Sequence, residues 1–364
     1  MGMVKVAVAM SGGVDSSVAA AMLQEEGHEV IGVTMRVWPP LVVGVEPGGS
    51  TGGRDWDAVS VAARIAHQLG IPHHVVDLRD IFSEKVVADF CREYGRGRTP
   101  NPCIRCNQHI KFGALLEAAI ESGADAMATG HYARIDREQS TRRYLLLKGV
   151  DRSKDQSYFL AMLRQEQLER IVMPLGCLTK AVVEQRARER GLASERQKES
   201  QEICFIPDGD YGGFLKGCTP EAFRPGPVLD SEGNVLGQHH GLPLYTVGQR
   251  KGFGISSPDP LYVTGIDAQR NAVIVGSKDD ACSDELIASR VSWVSGSWPQ
   301  QPQAIKAKIR YRHREADAVV TPVPRKESVH VKFKQPQMSV TPGQAVVFYD
   351  GDVIIGGGTI EQVL

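Results

Sequence analysis

A glycine- and serine-rich loop near the N-terminus has the residue types that bind phosphate. Residues 11–17 read SGGVDSS and lie between a predicted buried strand, residues 4–10, and a predicted helix, residues 14–26. Unpaired N–H groups at a helix N-terminus attract anions, and glycine lets a phosphate approach the backbone without a Cβ clash. The serines add hydroxyl donors, and Asp15 could hold Mg²⁺ or orient the loop. The pattern predicts a phosphate-binding turn.

This loop differs from two common nucleotide-binding turns. The chain has no GxxxxGK[ST] motif, so no loop lysine reaches a γ-phosphate, and the turn lacks the GxGxxG of dinucleotide sites. It resembles instead the SGGxDS signature of the PP-loop ATP pyrophosphatases. The resemblance implies cleavage of ATP between its α and β phosphates, with adenylation of a carbonyl-type oxygen.

Cysteines are the second group of reactive side chains. The 364-residue chain has seven, an odd number that does not fit a secreted disulfide framework, so a reducing cytoplasm is expected. Cys103 and Cys106 form a lone CxxC without a second pair at zinc spacing, so no metal ligands are assigned. Cys204 stands alone further along the chain.

Five separated motifs resemble those of the tRNA-specific 2-thiouridylases, in the family's order and over nearly the whole chain. They are TPNPCIRCN at 99–107 with IKF at 110–112, TGHYA at 129–133, KDQSY at 154–158, SQEICFI at 200–206 and PGQAVVFY at 342–349. The resemblance implies ATP-dependent 2-thiolation of uridine 34, the wobble position of the tRNA anticodon loop, with release of AMP and pyrophosphate.

The same resemblance gives the cysteines their roles. AMP attached to the uracil C2 oxygen would make it a leaving group that sulfur displaces. The sulfur would arrive from a persulfide-donating sulfur-relay protein as a persulfide on Cys204. Cys106 would attack it, releasing sulfide and leaving a Cys106–Cys204 disulfide, or would otherwise assist transfer. Cys103 stands where many members have an acid; it could contact the base, protect Cys106 or compete for its disulfide.

Two sets of binding residues follow from the matched motifs and from the positions of residues at strand ends. The nucleotide set is Ala9, Met10, Ser11, Gly12, Gly13, Val14, Asp15, Ser16, Met35 and Gly130. The tRNA set is Asn101, Pro102, Cys103, His131, Lys154, Asp155, Gln156, Arg310, Tyr311 and Gln344.

Two groups of basic residues predict phosphate contacts, although the net charge of −1 argues against a uniformly basic surface. Every even position of residues 306–314 (KAKIRYRHR) is basic, which on a strand would place all five charges on one face. The second group surrounds the cysteine loop and consists of Arg92, Arg96, Arg98, Arg105 and Lys111.

The order of predicted elements indicates an α/β fold. A Rossmann-like parallel sheet is expected over 1–208, with strands at 29–35, 73–77 and 125–129 and helices at 57–69, 80–94, 109–122, 156–170 and 179–190. Turn-rich patterns then predict a small mostly-β domain, 209–285, and a β-barrel-like domain, 286–364, that contacts tRNA. Residues 39–54 read as a Gly/Pro-rich loop, and no apolar run is long enough to span a membrane.

Two other classes of protein fit parts of the pattern. A PP-loop enzyme that amidates or ligates would use the loop at 11–17 and need neither Cys106 nor Cys204. A tRNA-binding protein without catalysis would release no pyrophosphate from ATP.

Overall fold

The computed structural model describes residues 3–38, 53–192, 203–206, 209–255, 257–323 and 327–364. Most of the predicted Gly/Pro-rich loop and the first residues of the SQEICFI motif lie outside these ranges. The strands are β1 (Lys5–Ala9), β2 (Glu29–Arg36), β3 (His73–Asp77), β4 (Ala126–Ala128), β5 (Ala133–Arg137), β6 (Tyr144–Lys148), β7 (Ile171–Val172), β8 (Gly226–Leu229), β9 (Val235–His239), β10 (Tyr262–Asp267), β11 (Ala272–Gly276), β12 (Cys282–Trp293), β13 (Gln303–Lys308), β14 (Ala316–Pro322), β15 (Ser328–Met338), β16 (Ala345–Asp350) and β17 (Val353–Val363).

Helices cluster in the first half of the chain. The α-helices are α1 (Val14–Glu25), α2 (Gly53–Leu69), α3 (Arg79–Phe82), α4 (Ala88–Gly95), α5 (Pro102–Arg105), α6 (Leu116–Glu121), α7 (Gln165–Leu168), α8 (Lys180–Glu189) and α9 (Tyr211–Cys218). Two segments are π-helices, Ser83–Val87 and Cys106–Leu115. Short 3₁₀ turns occupy Ser157–Leu160, Pro174–Cys177, Pro220–Ala222 and Leu242–Leu244. Within the described ranges no helix is both long and apolar enough to cross a bilayer.

The first sheet has the strand order β3-β2-β1-β4-β7, and every pair in it is parallel. Helix α1 packs on it through buried small residues, Ala19 to Ala21, which allow a close approach. The strand order runs in opposite directions on the two sides of β1, so β1 and β4 flank a switch point at the carboxyl edge of the sheet. Ligands of α/β proteins bind at such points.

Two antiparallel-rich sheets follow. The smaller has the order β10-β11-β8-β9 and a core that includes Val228, Val263 and Val273. The larger runs β12-β15-β14-β13-β16-β17, and pairing of β12 with β17 closes it into a six-stranded barrel. The α/β fold class with a mostly-β middle and a C-terminal barrel is therefore confirmed.

The barrel also accepts a hairpin from the first half of the chain. Strands β5 and β6 pair with each other, and β6 joins β17 through Leu147 opposite Val353 and Leu146 opposite Ile354. Leu146 and Ile354 are fully buried. Since β5 starts directly after the TGHY turn, this hairpin connects the carboxyl edge of the parallel sheet to the barrel.

Two predicted elements are wrong. Residues 156–170 form a 3₁₀ turn and the four-residue helix α7 rather than one helix, because their hydrogen bonds serve separate turns. Residues 306–314 are not one strand: β13 ends at Lys308, and the N–H of His313 bonds to the carbonyl of Arg310 in a turn. The five basic side chains therefore do not share one strand face.

Two buried carboxylates tie α4 to the cysteine loop and the barrel. Asp89 and Glu93 are only 7% and 2% exposed. Arg98 binds both Glu93 and Glu361 of β17, at 2.8 and 2.6 Å. Arg290 of β12 reaches both carboxylates at 3.5 and 3.8 Å. The charges compensate one another across three elements that are distant in sequence.

Replacement of Glu93 by Ala should leave Arg98 and Arg290 with one carboxylate partner each, Glu361 and Asp89, instead of two. We expect a loss of about 3 kcal/mol in the free energy of unfolding, as for other broken buried pairs. The control is Glu84→Ala, which removes an exposed partner of Lys85 and should cost under about 1 kcal/mol. Thermal unfolding followed by calorimetry measures both; an equal effect of the two changes would contradict a buried network.

Candidate active site

The SGGVDSS loop closes on itself at the carboxyl end of β1. Gly12 has a φ of +75°, a conformation that side chains other than glycine rarely adopt. The hydroxyls of Ser16 and Ser17 donate to the carbonyl of Gly13 at 3.1 and 2.9 Å. Gly13 is the N-cap of α1 and offers no side chain to the first-turn N–H groups. These amides therefore face outward, as an anion site requires.

Neighbouring strand ends complete this half of the site. The N–H of Met10, which follows Ala9 and β1, donates to the carbonyl of Val33 at 2.8 Å. Met35, near the end of β2, is half-buried. Gly130, which follows β4, lies so close that a Cβ there would meet the backbone of Asp15 and Ser16 at 2.9 Å. The structure thus brings the predicted nucleotide residues to one edge of the parallel sheet.

Asp15 is held by two residues that the sequence did not single out for this role. The hydroxyl of Tyr132 donates to its Oδ1 at 2.8 Å. Lys180, at the start of α8, binds both carboxylate oxygens at 2.8 and 3.1 Å. In this structure Asp15 braces the loop. Tyr132 belongs to the TGHYA motif, but nothing local to Lys180 indicates a partner so distant in sequence.

The cysteine loop is fixed from both sides. The side chain of Asn101 accepts a hydrogen bond from the N–H of Ile104 and caps α5, which begins at Pro102. Gln344, from the loop before β16, donates to the carbonyls of Thr99 and Pro100 at 3.0 and 3.3 Å. Both amide side chains thus position the loop in this structure. Cys103 lies on α5, and Cys106 is the first residue of the following π-helix.

Cys204 is brought to the same place by a buried aromatic neighbour. Phe205 is 2% exposed, and its ring centroid lies 5.7 Å from Phe82 and 5.2 Å from Phe90. This anchor holds a short segment in which Cys204 itself is exposed. The thiols of Cys103 and Cys106 both act electrostatically on Cys204, so the three thiols form one cluster.

The thiols of this cluster are weak acids. Burial raises the pKa of Cys106 to about 11, Lys111 acts to lower it, and Cys103 raises it further. Cys204 is exposed at the surface, but desolvation by the surrounding protein, with Cys106 and Cys103, raises its pKa to about 12. Desolvation also raises the pKa of Cys103 against the opposing charge of Lys111. All seven cysteines are free.

His131 lies between the loop and the thiols. It is 8% exposed, its Nδ1 is 2.8 Å from the Thr129 hydroxyl, and its ring centroid is 5.6 Å from that of Phe112. Burial, aided by Lys111, lowers its pKa well below the ordinary value, so its imidazole is neutral. Gly130 therefore contacts the nucleotide half of the site, and the next residue borders the cysteine half.

Several predicted RNA contacts bind within the protein in this structure. Asp155 is buried and accepts hydrogen bonds from the N–H of Gly149 and from Ser157. The side chain of Gln156 accepts from the N–H of Tyr132 at 3.0 Å. Arg310 donates to the carbonyl of Val247 at 2.8 Å and to Thr341. These three side chains brace the turns around the site.

Lys154 and Tyr311 lie in the same region. Lys154 is half-buried. The ring of Tyr311 packs against Phe159 at 4.4 Å between centroids, and the ammonium of Lys308 is 5.6 Å from the Tyr311 ring.

Most of the second basic group is neutralised by carboxylates. Arg92 and Arg105 pair with Asp89, and Arg96 and Arg98 pair with Glu93. Among the described residues, no carboxylate pairs with Lys111. Arg98 and Arg105 are thereby buried in this network, whereas Arg92 and Arg96 keep 47% and 61% of their side-chain surface exposed.

Three family models match successive parts of the chain. They describe a tRNA methyl transferase HUP domain at residues 4–208, a tRNA methyl transferase PRC-barrel domain at 212–277 and an aminomethyltransferase beta-barrel domain at 283–360.

Curated relatives match almost end to end. A tRNA-specific 2-thiouridylase MnmA of Heliobacterium modesticaldum is 50% identical over 99% of this chain and 93% of its own length. The protein of the same name from Acetivibrio thermocellus is 48% identical over 98% and 99%. That of Carboxydothermus hydrogenoformans is 49% identical over 100% and 99%. The chain therefore belongs to the tRNA-specific 2-thiouridylase family.

Proposed function

We propose that this chain is an ATP-dependent tRNA-uridine 2-sulfurtransferase that acts on uridine 34 of the anticodon loop. The observation that carries the proposal is the meeting of two reactive groups at one sheet edge. Gly130 packs on the SGGVDSS loop. The charge of Lys111 acts to lower the pKa of the adjacent His131. The same charge also acts to lower the pKa of the three thiols, Cys103, Cys106 and Cys204. An amidating or ligating enzyme would have no use for this group of thiols.

The nucleotide half would activate the base. ATP would place its phosphates at the uncapped N-terminus of α1, where outward-facing amides favour negative charge. Attack by the uracil C2 oxygen on the α-phosphate would release pyrophosphate and leave AMP on the oxygen. The target base must leave its stack to reach this edge, and Lys154 and Tyr311 lie where they could contact the surrounding RNA.

The cysteine half would deliver sulfur. We propose that a sulfur-relay protein loads Cys204 as a persulfide, which its exposed position allows. The Cys106 thiolate would attack the Cys204 sulfur and form a disulfide, while the terminal sulfur leaves as hydrosulfide and displaces AMP from C2. A thiol reductant would then restore both cysteines, which fits work in the cytoplasm.

Magnesium is proposed as a companion of ATP and not as a resident metal. The Asp15 carboxylate is already paired with Lys180. Over the part of the chain that the structure describes, no group of three or more His, Cys, Asp or Glu side chains could hold a metal ion. No step is therefore assigned to a metal.

Replacement of Cys204 by Ser tests the sulfur-carrier role. With ATP, tRNA and a persulfide donor, we expect at least a hundredfold loss of 2-thiouridine, measured by mass spectrometry of tRNA nucleosides. Pyrophosphate release that depends on tRNA should persist, because activation does not use this thiol. Cys177→Ser, at another exposed free cysteine, is the matched control. A normal yield from the Cys204 variant would contradict the role.

Replacement of Lys180 by Met tests whether Asp15 braces the loop. Loss of the ion pair should raise the KM for ATP about tenfold, or about 1.4 kcal/mol, as should Asp15→Asn. Lys216→Met, at an exposed lysine of α9, is the control. If Asp15 instead binds Mg²⁺, freeing it from Lys180 should lower the Mg²⁺ concentration needed for activity, and the two variants would then behave oppositely.

A further inference from the structure

Lys111 is a half-buried cation beside the reactive thiols. Its neighbours in the predicted basic group, Arg92, Arg96, Arg98 and Arg105, all pair with Asp89 or Glu93. Within the described ranges no carboxylate lies in ion-pair distance of Lys111, although its side chain is only partly exposed. A charge held away from bulk water without a partner is costly, so its position calls for a functional reason.

Helix geometry turns Lys111 toward the cysteines. Cys106 and Lys111 are five residues apart in the π-helix Cys106–Leu115. The i→i+5 hydrogen bonds of a π-helix place Lys111 about one turn above Cys106, whereas in an α-helix that position would fall to His109–Ile110. The π-helical stretch precedes the non-helical Gly113, with φ −104° and ψ −106°. The rarer helix thus places the backbone of Lys111 about one turn from that of Cys106.

Few charged groups act on the thiols within the part of the chain that the structure describes. There, Lys111 and Cys103 act on Cys106, and Cys106, Cys103 and Lys111 act on Cys204. Arg105 pairs with Asp89, 3.4 Å away, and His131 is neutral. Among the described residues, Lys111 is therefore the cation common to all three thiols, and it opposes the effect of burial at each of them.

We propose that Lys111 is a positioning residue for sulfur transfer, whose ammonium stabilises negative charge on the sulfurs of Cys106 and Cys204. The assignment rests on the proposed function above. Cys106 loses its proton to solvent, and its thiolate forms the bond to the Cys204 sulfur. The bond between that sulfur and the terminal persulfide sulfur breaks, and the electron pair leaves with hydrosulfide. The Lys111 ammonium faces first the Cys106 thiolate and then the departing hydrosulfide.

The need for such a cation follows from the acidity of the thiols. The pKa of about 11 for Cys106 already includes the lowering by Lys111, so little of this thiol is ionised near neutral pH even with the cation present. Each unit by which a neighbouring cation lowers that pKa raises the thiolate fraction about tenfold. Removing Lys111 should therefore slow every reaction of the Cys106 thiolate at pH values below the pKa of this cysteine.

Alkylation of the free protein by iodoacetamide measures this effect without ATP or tRNA. Rates at each cysteine are followed by peptide mass spectrometry between pH 7 and pH 10 for wild type, Lys111→Met and Lys111→Arg. Lys85→Met, at a lysine paired with Glu84 on the preceding π-helix, is the control. Circular dichroism and the thermal midpoint verify that each variant is folded.

We expect Lys111→Met to slow alkylation of Cys106 and Cys204 about tenfold near pH 8 and to shift both pH profiles upward, with Lys111→Arg retaining most of the rate. The 2-thiouridine yield should fall in parallel and recover partly at higher pH. Unchanged alkylation profiles in folded Lys111→Met would overturn the proposal. If the same variant also had a raised KM for tRNA, Lys111 would be assigned to contact with RNA phosphate. Because alkylation needs no substrate, failure of the proposed function in wild type would be seen separately.

Discussion

The buried pair Asp89 and Glu93 is the constraint on which the rest of the site depends. Carboxylates with so little exposure persist only when cations neutralise them. Here those cations come from α4 and the turn after it, from the cysteine loop and from the barrel strand β12. One helix face is thereby tied to the loop that carries Cys103 and Cys106. The same interactions occupy arginines whose sequence positions favour RNA contacts.

Around this network, contacts distant in sequence hold both halves of the site. In the nucleotide half, Gly130 packs on the loop, and Tyr132 and Lys180 bind Asp15. In the cysteine half, Gln344 holds the loop before α5 and Phe205 anchors Cys204. The hairpin β5–β6 connects them, since it leaves the parallel sheet at Tyr132 and enters the barrel sheet at β17.

The high pKa values of the thiols are consistent with a resting state that does not react. Buried or desolvated thiols are poor nucleophiles, and the proposed sulfur transfer needs them active only after the base is adenylated. Among the described residues, Lys111 opposes the effect of burial on the pKa of Cys103, Cys106 and Cys204, and the nearby His131 is neutral.

Local sequence patterns were sufficient to predict much of the fold. The β1–loop–α1 unit, the strands of the parallel sheet and the change to β structure follow from hydrophobic periodicity and glycine positions within a few residues. Periodicity failed at residues 306–314, where alternating charges suggest a strand but the chain turns after Lys308. It failed again at residues 156–170, where the 3₁₀ turn Ser157–Leu160 and the short helix α7 replace one helix.

The sequence by itself determined the loop chemistry, the thiols and the order of elements, because these depend on residue type and short spacing. Only the tertiary structure decided which charges remain free and what Asp15 binds. Asp15 and Lys180 are 165 residues apart, and Arg98 and Glu361 are 263 apart. No local pattern encodes such pairs, since each depends on how sheet, loop and barrel pack. That packing neutralises four arginines and leaves Lys111 facing the cysteines.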